Sequence, residues 1–531
     1  MSGVATSRPA NLGTVTGMLG RMSTRGPDAV AAATLGAGTL GVCRLAITDV
    51  TNGTQPVRSA SGALLVGFNG AIYNHRALAR RYDLTRRSGS DAEVIAPLYE
   101  RFGLRFADQL EGMYAIALVD DARDRLVLAV DPLGIKPLYA VRRPPRDGEA
   151  EGWLAASIPQ ALPAELRSRV WRVPPGTVWT SDGECVEIAP RVAADSPEEL
   201  GLETLLDASV REQIPDEVSW GCLLSGGVDS STVAALAVRA AGVDAVIAYT
   251  AGVRGSADLD AAVDVAALLG CRHRIAIIEP AELPHLLDTV AAATATPDPF
   301  TLLGGVGTWV AARRAARDGV KVLLSGEGAD ELYAGYDGYA ATPPGALDRE
   351  LLADQLDLGA TECLRVDRCT MAHGIETRVP FLCAPVIRHA RSLSADDRIA
   401  QRAGQTVRKV AVRRAARTLL PERVAQRPKA GIPDGAGLTA AIEQLARRRF
   451  DAPAIAALRA DPATFGYFDH QRALGVDDAV AALAWDLWRR HHGGLGESWR
   501  DLVARGLVRR PRGEGKYRGD AVDAVTRPAV S

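Results

Sequence analysis

Ser225-Gly226-Gly227-Val228-Asp229-Ser230-Ser231 is the stretch on which the reading of this chain turns. Before it, the apolar run Val218-Ser219-Trp220-Gly221-Cys222-Leu223-Leu224 reads as a buried strand; after it, Thr232 to Ala241, rich in Ala and Val and free of Gly and Pro, reads as a helix. Strand, glycine loop and helix in that order make an anion cradle. Two adjacent glycines let the main chain approach a phosphate closely, and the serine hydroxyls and first free N–H groups of the helix point at it with the positive end of the dipole behind them. No Lys follows the glycines, so this is not the G-x-x-x-x-G-K-[ST] loop of ordinary nucleoside triphosphatases. Asp229 instead offers a carboxylate oxygen where Mg²⁺ on a polyphosphate would sit. The plainer alternative is a glycine turn opening a helix with nothing bound.

At 531 residues the chain exceeds one core, and two domains plus a tail is the natural expectation. A formal net charge of −2 supplies no basic field for nucleic acid or an anionic membrane, so neither is expected as a partner. The segment Met1 to Pro9 lacks an apolar signal core and no run approaches a membrane span, which points to a soluble cytoplasmic protein. Cys43, Cys185, Cys222, Cys271, Cys363, Cys369 and Cys383 stand singly, which argues against a zinc site or a disulfide framework. Basic residues are overwhelmingly Arg, with lysine only at 136, 321, 409, 429 and 516.

Residues 1–195 carry short β-like segments (Leu40–Thr48, Ala63–Phe68, Met113–Val119, Leu126–Val130, Gly152–Ala156) with helical stretches at Arg76–Arg81 and Asp91–Phe102. That pattern predicts an α+β domain of antiparallel sheets. From 200 to 505, strands at Cys222–Leu224, Ala245–Thr250, Arg274–Ile278 and Lys321–Leu324 alternate with long helices, which predicts an α/β doubly wound parallel sheet with ligands at the carboxyl ends of its strands. Residues 506–531, polar and rich in Arg and Gly, read as a flexible tail, and 189–199 as the linker. A second glycine loop, Ser325-Gly326-Glu327-Gly328-Ala329-Asp330-Glu331, follows the strand at Lys321–Leu324 and holds three carboxylates, as a metal-binding loop would. An acidic helix N-terminus accounts for one of the three carboxylates but not for all of them.

The first loop resembles the pyrophosphate loop of the ATP-pyrophosphatase superfamily, and the second resembles the matching signature of asparagine synthetases. In the N-terminal half, Arg25-Gly26-Pro27-Asp28, Arg44 to Asp49, Gly53-Thr54-Gln55-Pro56, Asn69 to His75, Gly89 to Val94 and Asp131 to Tyr139 resemble the glutamine amidotransferase domain of that family, a stacked-sheet N-terminal-nucleophile fold. The resemblance implies ATP and Mg²⁺: Leu224, Ser225, Gly226, Gly227, Asp229, Ser230, Ser231, Ser325, Gly326 and Lys409 at the nucleotide, with Asp229 and Asp330 sharing the metal. It implies Glu327 at the reacting acyl centre, supporting adenylation and accepting a proton from the incoming amine. It places Lys429, within Arg427-Pro428-Lys429-Ala430-Gly431, at the phosphate and the oxyanion of the tetrahedral intermediate. For Lys409 a solvated helix face competes with a phosphate contact.

Three departures stand out. The family's nucleophilic Cys after the initiator Met is Ser2 here, a vestigial nucleophile position whose alkoxide is far less available than a thiolate. The carboxylate of the family's Asn-Gly-Glu is replaced by Ala71, leaving Arg44, Asn69, Gly70 and Asp91 as remnants of a glutamine site, with a structural Arg44–Asp91 ion pair as the alternative. The Asp that closes the substrate-side segment Asp367 to Leu382 is Cys383, which throws the acyl substrate into question. The expected activity is an ATP-dependent, AMP-forming amide ligase that adenylates a small-molecule carboxylate and transfers ammonia or an amine to it in specialised biosynthesis, with glutamine hydrolysis weak or absent and a homodimer left open. The alternatives are β-lactam synthetase-like intramolecular closure, disfavoured because those enzymes carry Tyr at the position of Glu327; a glutamine-hydrolysing asparagine synthetase using Ser2; and a non-catalytic binding protein.

Overall fold

The structure, a computed structural model, describes residues 3–145, 151–189, 200–402, 404–428 and 431–510. The N-terminal half folds into the strands β1 (Gly3–Arg8), β2 (Ala29–Leu35), β3 (Gly38–Arg44), β4 (Val57–Arg58), β5 (Leu64–Ile72), β6 (Gly112–Asp120), β7 (Arg125–Val130), β8 (Tyr139–Arg143), β9 (Gly152–Ala156), β10 (Trp171–Arg172), β11 (Thr177–Thr180) and β12 (Cys185–Glu187). They form two six-stranded antiparallel sheets, ordered β10-β8-β9-β1-β3-β2 and β12-β11-β7-β6-β5-β4. β6 shows why its run is apolar throughout. Ala115, Ala117 and Val119 point into the core between the sheets, while Tyr114, Ile116 and Leu118 point into a second core on the outer face with Ile95, Leu98 and Phe106. A strand buried on both sides has no polar face to alternate with. The expected Asp91–Phe102 helix divides into a 3₁₀ turn over Asp91–Val94, capped by Ser90, and an α-helix over Ile95–Phe102.

In the second half, β13 (Trp220–Leu223), β14 (Ile247–Gly252), β15 (Arg272–Ile277), β16 (Val322–Leu324) and β17 (Glu376–Arg378) form a parallel sheet ordered β15-β14-β13-β16-β17. The doubly wound expectation holds. The sequence pattern did not disclose β17, because its strand alternates Glu376, Thr377 and Arg378, charges hidden by a buried pair in which Arg378 Nε donates to Glu376 Oε1 at 3.0 Å. From β13 the chain winds outward through β14 and β15, then returns to the other side of β13 for β16 and β17. The order therefore reverses between β13 and β16, which opens a crevice at their carboxyl ends.

The halves are locked together by charge as well as apolar packing. Arg25 donates to both carboxylate oxygens of Asp367 at 2.9 and 3.1 Å, and Lys136 Nζ reaches the same carboxylate at 3.5 Å, all three side chains being buried. Lys321 Nζ donates to Asp28 at 2.7 Å, and Glu217 accepts from the N–H groups of Asp49 and Val50. Near the C-terminus, Leu507 and Val508 are buried beside Trp499 and Leu502, so packed chain continues past the tail boundary expected at Gly506; residues 511–531 lie outside the described residues. No helix among the described residues is long and apolar enough to cross a membrane.

Candidate active site

The crevice between β13 and β16 receives both glycine loops. The first ends in the helix Val228–Ala241, with Gly227 at its N-cap and Asp229 in its first turn. Gly226 takes φ +72°, and a Cβ there would lie 2.6 Å from Ala261, so a side chain would be both strained and obstructed. The serines shape the loop: Ser230 Oγ accepts from the Ser225 N–H at 3.2 Å and donates to the Gly227 carbonyl at 3.2 Å, and Ser225 Oγ accepts from the Gly227 N–H at 3.3 Å. Ser231 Oγ is buried without a hydrogen-bond partner. Leu224 leads into the loop, its N–H donating to the Tyr249 carbonyl at 2.9 Å.

The second loop lies directly against the first. A Cβ on Gly326 would sit 2.9 Å from the Ser230 nitrogen and 3.0 Å from Asp229, so only glycine allows the approach. Ser325 donates its N–H to the Arg378 carbonyl of β17 at 2.9 Å, and the short helix Ala329–Tyr333 then carries Asp330 and Glu331. Asp330 comes within reach of the same ammonium as Asp229.

Lys409 joins them. Its side chain is 1% exposed, and its ammonium donates to Asp229 Oδ2 and lies 2.6 Å from Asp330 Oδ1. The solvated helix face considered for Lys409 is thus excluded: the residue is the left-handed N-cap (φ +56°) of the helix Val410–Ala416 and reaches inward. Asp229 Oδ1 is buried and accepts no hydrogen bond. Arg413, one turn on, donates to the carbonyls of Ala425 and Arg427 at 2.8 and 2.9 Å, and Arg427 in turn donates to the Ser225 carbonyl at 3.3 Å and to Asp258 at 2.8 Å. The basic loop is therefore anchored on the phosphate loop two residues before Lys429, which itself lies outside the described residues.

Glu327 is held by Arg365, a residue the sequence reading passed over. Arg365, from the helix Glu362–Met371, donates Nη2 to Glu327 Oε1 at 2.8 Å and to Glu362 Oε2 at 2.6 Å, and Nη1 to Thr308 at 2.7 Å. It has room because Gly304 faces it: a Cβ there would meet the Arg365 side chain at 3.1 Å. Helix-breaking glycines at 304, 305 and 307 inside the helix Pro299–Arg317 were the signal that could have flagged it. Glu331, buried, accepts from Tyr336 at 2.6 Å; burial first and the Asp330 charge second raise its pKa. Cys383 stands elsewhere. It is the N-cap of the helix Ala384–Ser392 and makes no side-chain cap hydrogen bond.

In the N-terminal half, Arg44, Asn69, Gly70 and Asp91 are all buried. Arg44 donates to the carbonyls of Val50 and Asp49 at 3.0 and 2.7 Å; Asp91 Oδ2 accepts from the Ile72 N–H at 2.9 Å while Oδ1 is buried and unpartnered. Arg44 and Asp91 do not form the ion pair considered for them; each is bonded to backbone instead. Burial raises the Asp91 pKa. Asn69 is fully buried with neither amide atom bonded, and Gly70 takes φ +139°. Ser2 lies outside the described residues.

An antiparallel sheet pair followed by a doubly wound domain with a glycine cradle at its strand-order reversal defines a two-part nucleotide-dependent synthetase. Residues 1–170 match the model of a glutamine amidotransferase domain, and residues 201–345 and 342–492 that of asparagine synthase. The chain is 30% identical over 417 residues to asparagine synthetase B [glutamine-hydrolyzing] of Escherichia coli, covering 74% of each chain. It is 32% identical over 441 residues to asparagine synthetase [glutamine-hydrolyzing] of Asparagus officinalis, covering 78% of this chain and 73% of that one. Among solved structures it is similar to a glutamine phosphoribosylpyrophosphate amidotransferase from B. subtilis, at 18% identity and a TM-score of 0.30, over 48% of this chain and 67% of the other. The chain belongs to the asparagine synthetase family of ATP-dependent amide-forming ligases.

Proposed function

We propose that this chain adenylates a small-molecule carboxylate with ATP and passes ammonia or an amine to the activated acyl group, in specialised biosynthesis. The observation that carries the reading is the convergence of Asp229, Asp330 and Lys409 from three separate segments at the crevice between β13 and β16. The cradle of Ser225, Gly226, Gly227, Ser230 and Ser231, with Ser325 and Gly326 opposite, holds the polyphosphate with N–H groups and hydroxyls. The donor set suits Mg²⁺: Asp229 Oδ1 is an orphaned buried carboxylate oxygen with a second carboxylate beside it, and an ion that keeps waters and phosphate ligands needs few protein oxygens. Asp229 and Asp330 would hold it, and it would neutralise charge on the phosphates. Among the described residues no group of three or more His, Cys, Asp or Glu could hold a metal ion.

In this reading the substrate carboxylate displaces pyrophosphate at the α-phosphorus. Glu327, oriented by Arg365, faces the acyl centre and takes the proton of the attacking amine. Lys429, carried by the anchored basic loop, stabilises the phosphate and the acyl oxyanion. With Ser2 as its nucleophile and Ala71 in place of a carboxylate, the N-terminal half serves mainly as scaffold. One observation favours a second reading: the amide of Asn69 and one carboxylate oxygen of Asp91 are buried with no hydrogen-bond partner, polar groups that an amide substrate would satisfy, as a glutaminase built on Ser2 requires.

Pyrophosphate release screened over candidate acids, aspartate first, with hydroxylamine to trap the acyl group, tests adenylation. Ammonium should support turnover and glutamine should not. Equal rates with both would establish the second reading, and no pyrophosphate with any acid would favour a binding protein.

A further inference from the structure

The nucleotide site in this structure already contains a cation, and it is supplied by the chain. Asp229 and Asp330 come from different loops, each with a side chain 13% exposed, and two carboxylates so placed would repel one another if nothing lay between them. The Lys409 ammonium lies between them. Three further features show that this position is built rather than incidental. Lys409 adopts φ +56°, a conformation that non-glycine residues rarely take, and it does so where the side chain must turn inward. Gly335 leaves the necessary space, since a Cβ there would collide with both Asp330 and the Lys409 side chain. Arg408 fixes the preceding residue by donating to the Gly335 carbonyl at 3.0 Å. The neighbouring Arg413 guanidinium is committed to the carbonyls of Arg408, Ala425 and Arg427, so it is not the group that bridges the carboxylates.

We propose that Lys409 is a place-holding cation: in the nucleotide-free protein its ammonium occupies the position between Asp229 and Asp330 that Mg²⁺ claims during adenylation, so that metal binds only together with a polyphosphate. This rests on the adenylation reading above. A divalent ion approaching alone meets an ammonium already neutralising its ligands, and a lysine cannot leave a buried carboxylate pair without another anion to receive it. A polyphosphate is that anion. The flexible four-carbon stem lets the ammonium swing from the carboxylates to the phosphates while the metal, carrying phosphate and water ligands, takes the vacated oxygens together with Asp229 Oδ1. The device keeps free metal from occupying the site and couples metal uptake to nucleotide.

The test uses Mn²⁺, followed by loss of the free-ion electron paramagnetic resonance signal, on the full chain. Wild type should bind Mn²⁺ at least tenfold more weakly than Lys409→Gln when no nucleotide is present, and Lys409→Arg should restore the exclusion. With a non-hydrolysable ATP analogue the wild type should bind the metal, while Lys409→Gln should lose at least tenfold in affinity for the analogue. Thermal melting of the wild type supplies a reading that needs no variant: Mg²⁺ alone should leave the midpoint unchanged and Mg²⁺ with the analogue should raise it. Wild type binding Mn²⁺ alone as tightly as Lys409→Gln, or a midpoint raised by Mg²⁺ alone, would overturn the place-holder while leaving adenylation standing. No metal uptake by wild type even with the analogue would bring down the adenylation reading and the place-holder together.

Discussion

Replacing Asp367 by Asn removes the anion that two buried cations share across the junction of the halves. Asp367, Arg25 and Lys136 are 2%, 3% and 1% exposed, and the carboxylate accepts two charge-assisted hydrogen bonds from Arg25 and faces Lys136. Taking one partner from a buried pair costs about 3–5 kcal/mol, chiefly because it leaves a charge uncompensated. Asparagine keeps the shape and one acceptor oxygen, so the expected loss is near the lower end, about 3 kcal/mol, or roughly 150-fold in the folding equilibrium. Urea denaturation at pH 7, followed by tryptophan fluorescence, measures it; in a chain of two halves the comparison belongs to the transition that separates them. A cycle with Arg25→Gln should return an interaction energy of about 1–3 kcal/mol. Acid should erase the difference. Burial works to raise the Asp367 pKa, but Arg25 and Lys136 outweigh it and leave it lowered, so the carboxylate's contribution is complete above its unfolded value of about 4 and is lost as pH falls through the lower folded value. A variant within about 0.5 kcal/mol of wild type at pH 7, or a gap that widens on acidification, would refute the reasoning.

Arg365→Lys keeps the charge but loses the fork that grips Glu327, Glu362 and Thr308, so pyrophosphate release should fall about 10- to 100-fold in kcat with the KM for ATP unmoved; a change confined to KM would assign Arg365 to nucleotide binding. Cys383→Ser adds the missing N-cap hydroxyl to the helix Ala384–Ser392 and should stabilise the protein by about 0.5–1 kcal/mol in thermal melts. Ser2→Cys combined with Ala71→Glu should produce glutamate from glutamine at a rate well above wild type. A rate no higher than wild type would show that Ser2 and Ala71 are not what limits glutamine hydrolysis.

The sequence by itself determined the two-part architecture, because glycine loops, apolar runs and strand–helix alternation are local patterns that need no partner to be recognised. It also brought Asp229 and Asp330 forward through the chemistry of loops that stand one hundred positions apart at Gly226 and Gly326, and Glu327 and Lys429 through the family resemblance. It was silent where charge is stabilised by distant chain. β17 reads as polar because Glu376 and Arg378 neutralise each other out of sight of water, and Arg365 and Asp367 meet Glu327 and Arg25, 38 and 342 positions away. Lys409 is the sharpest case: on its own helix it could have faced solvent, and only the meeting of three segments turns it inward. A buried charge is tolerated only beside its counter-charge, and which residues become neighbours is settled by the tertiary fold.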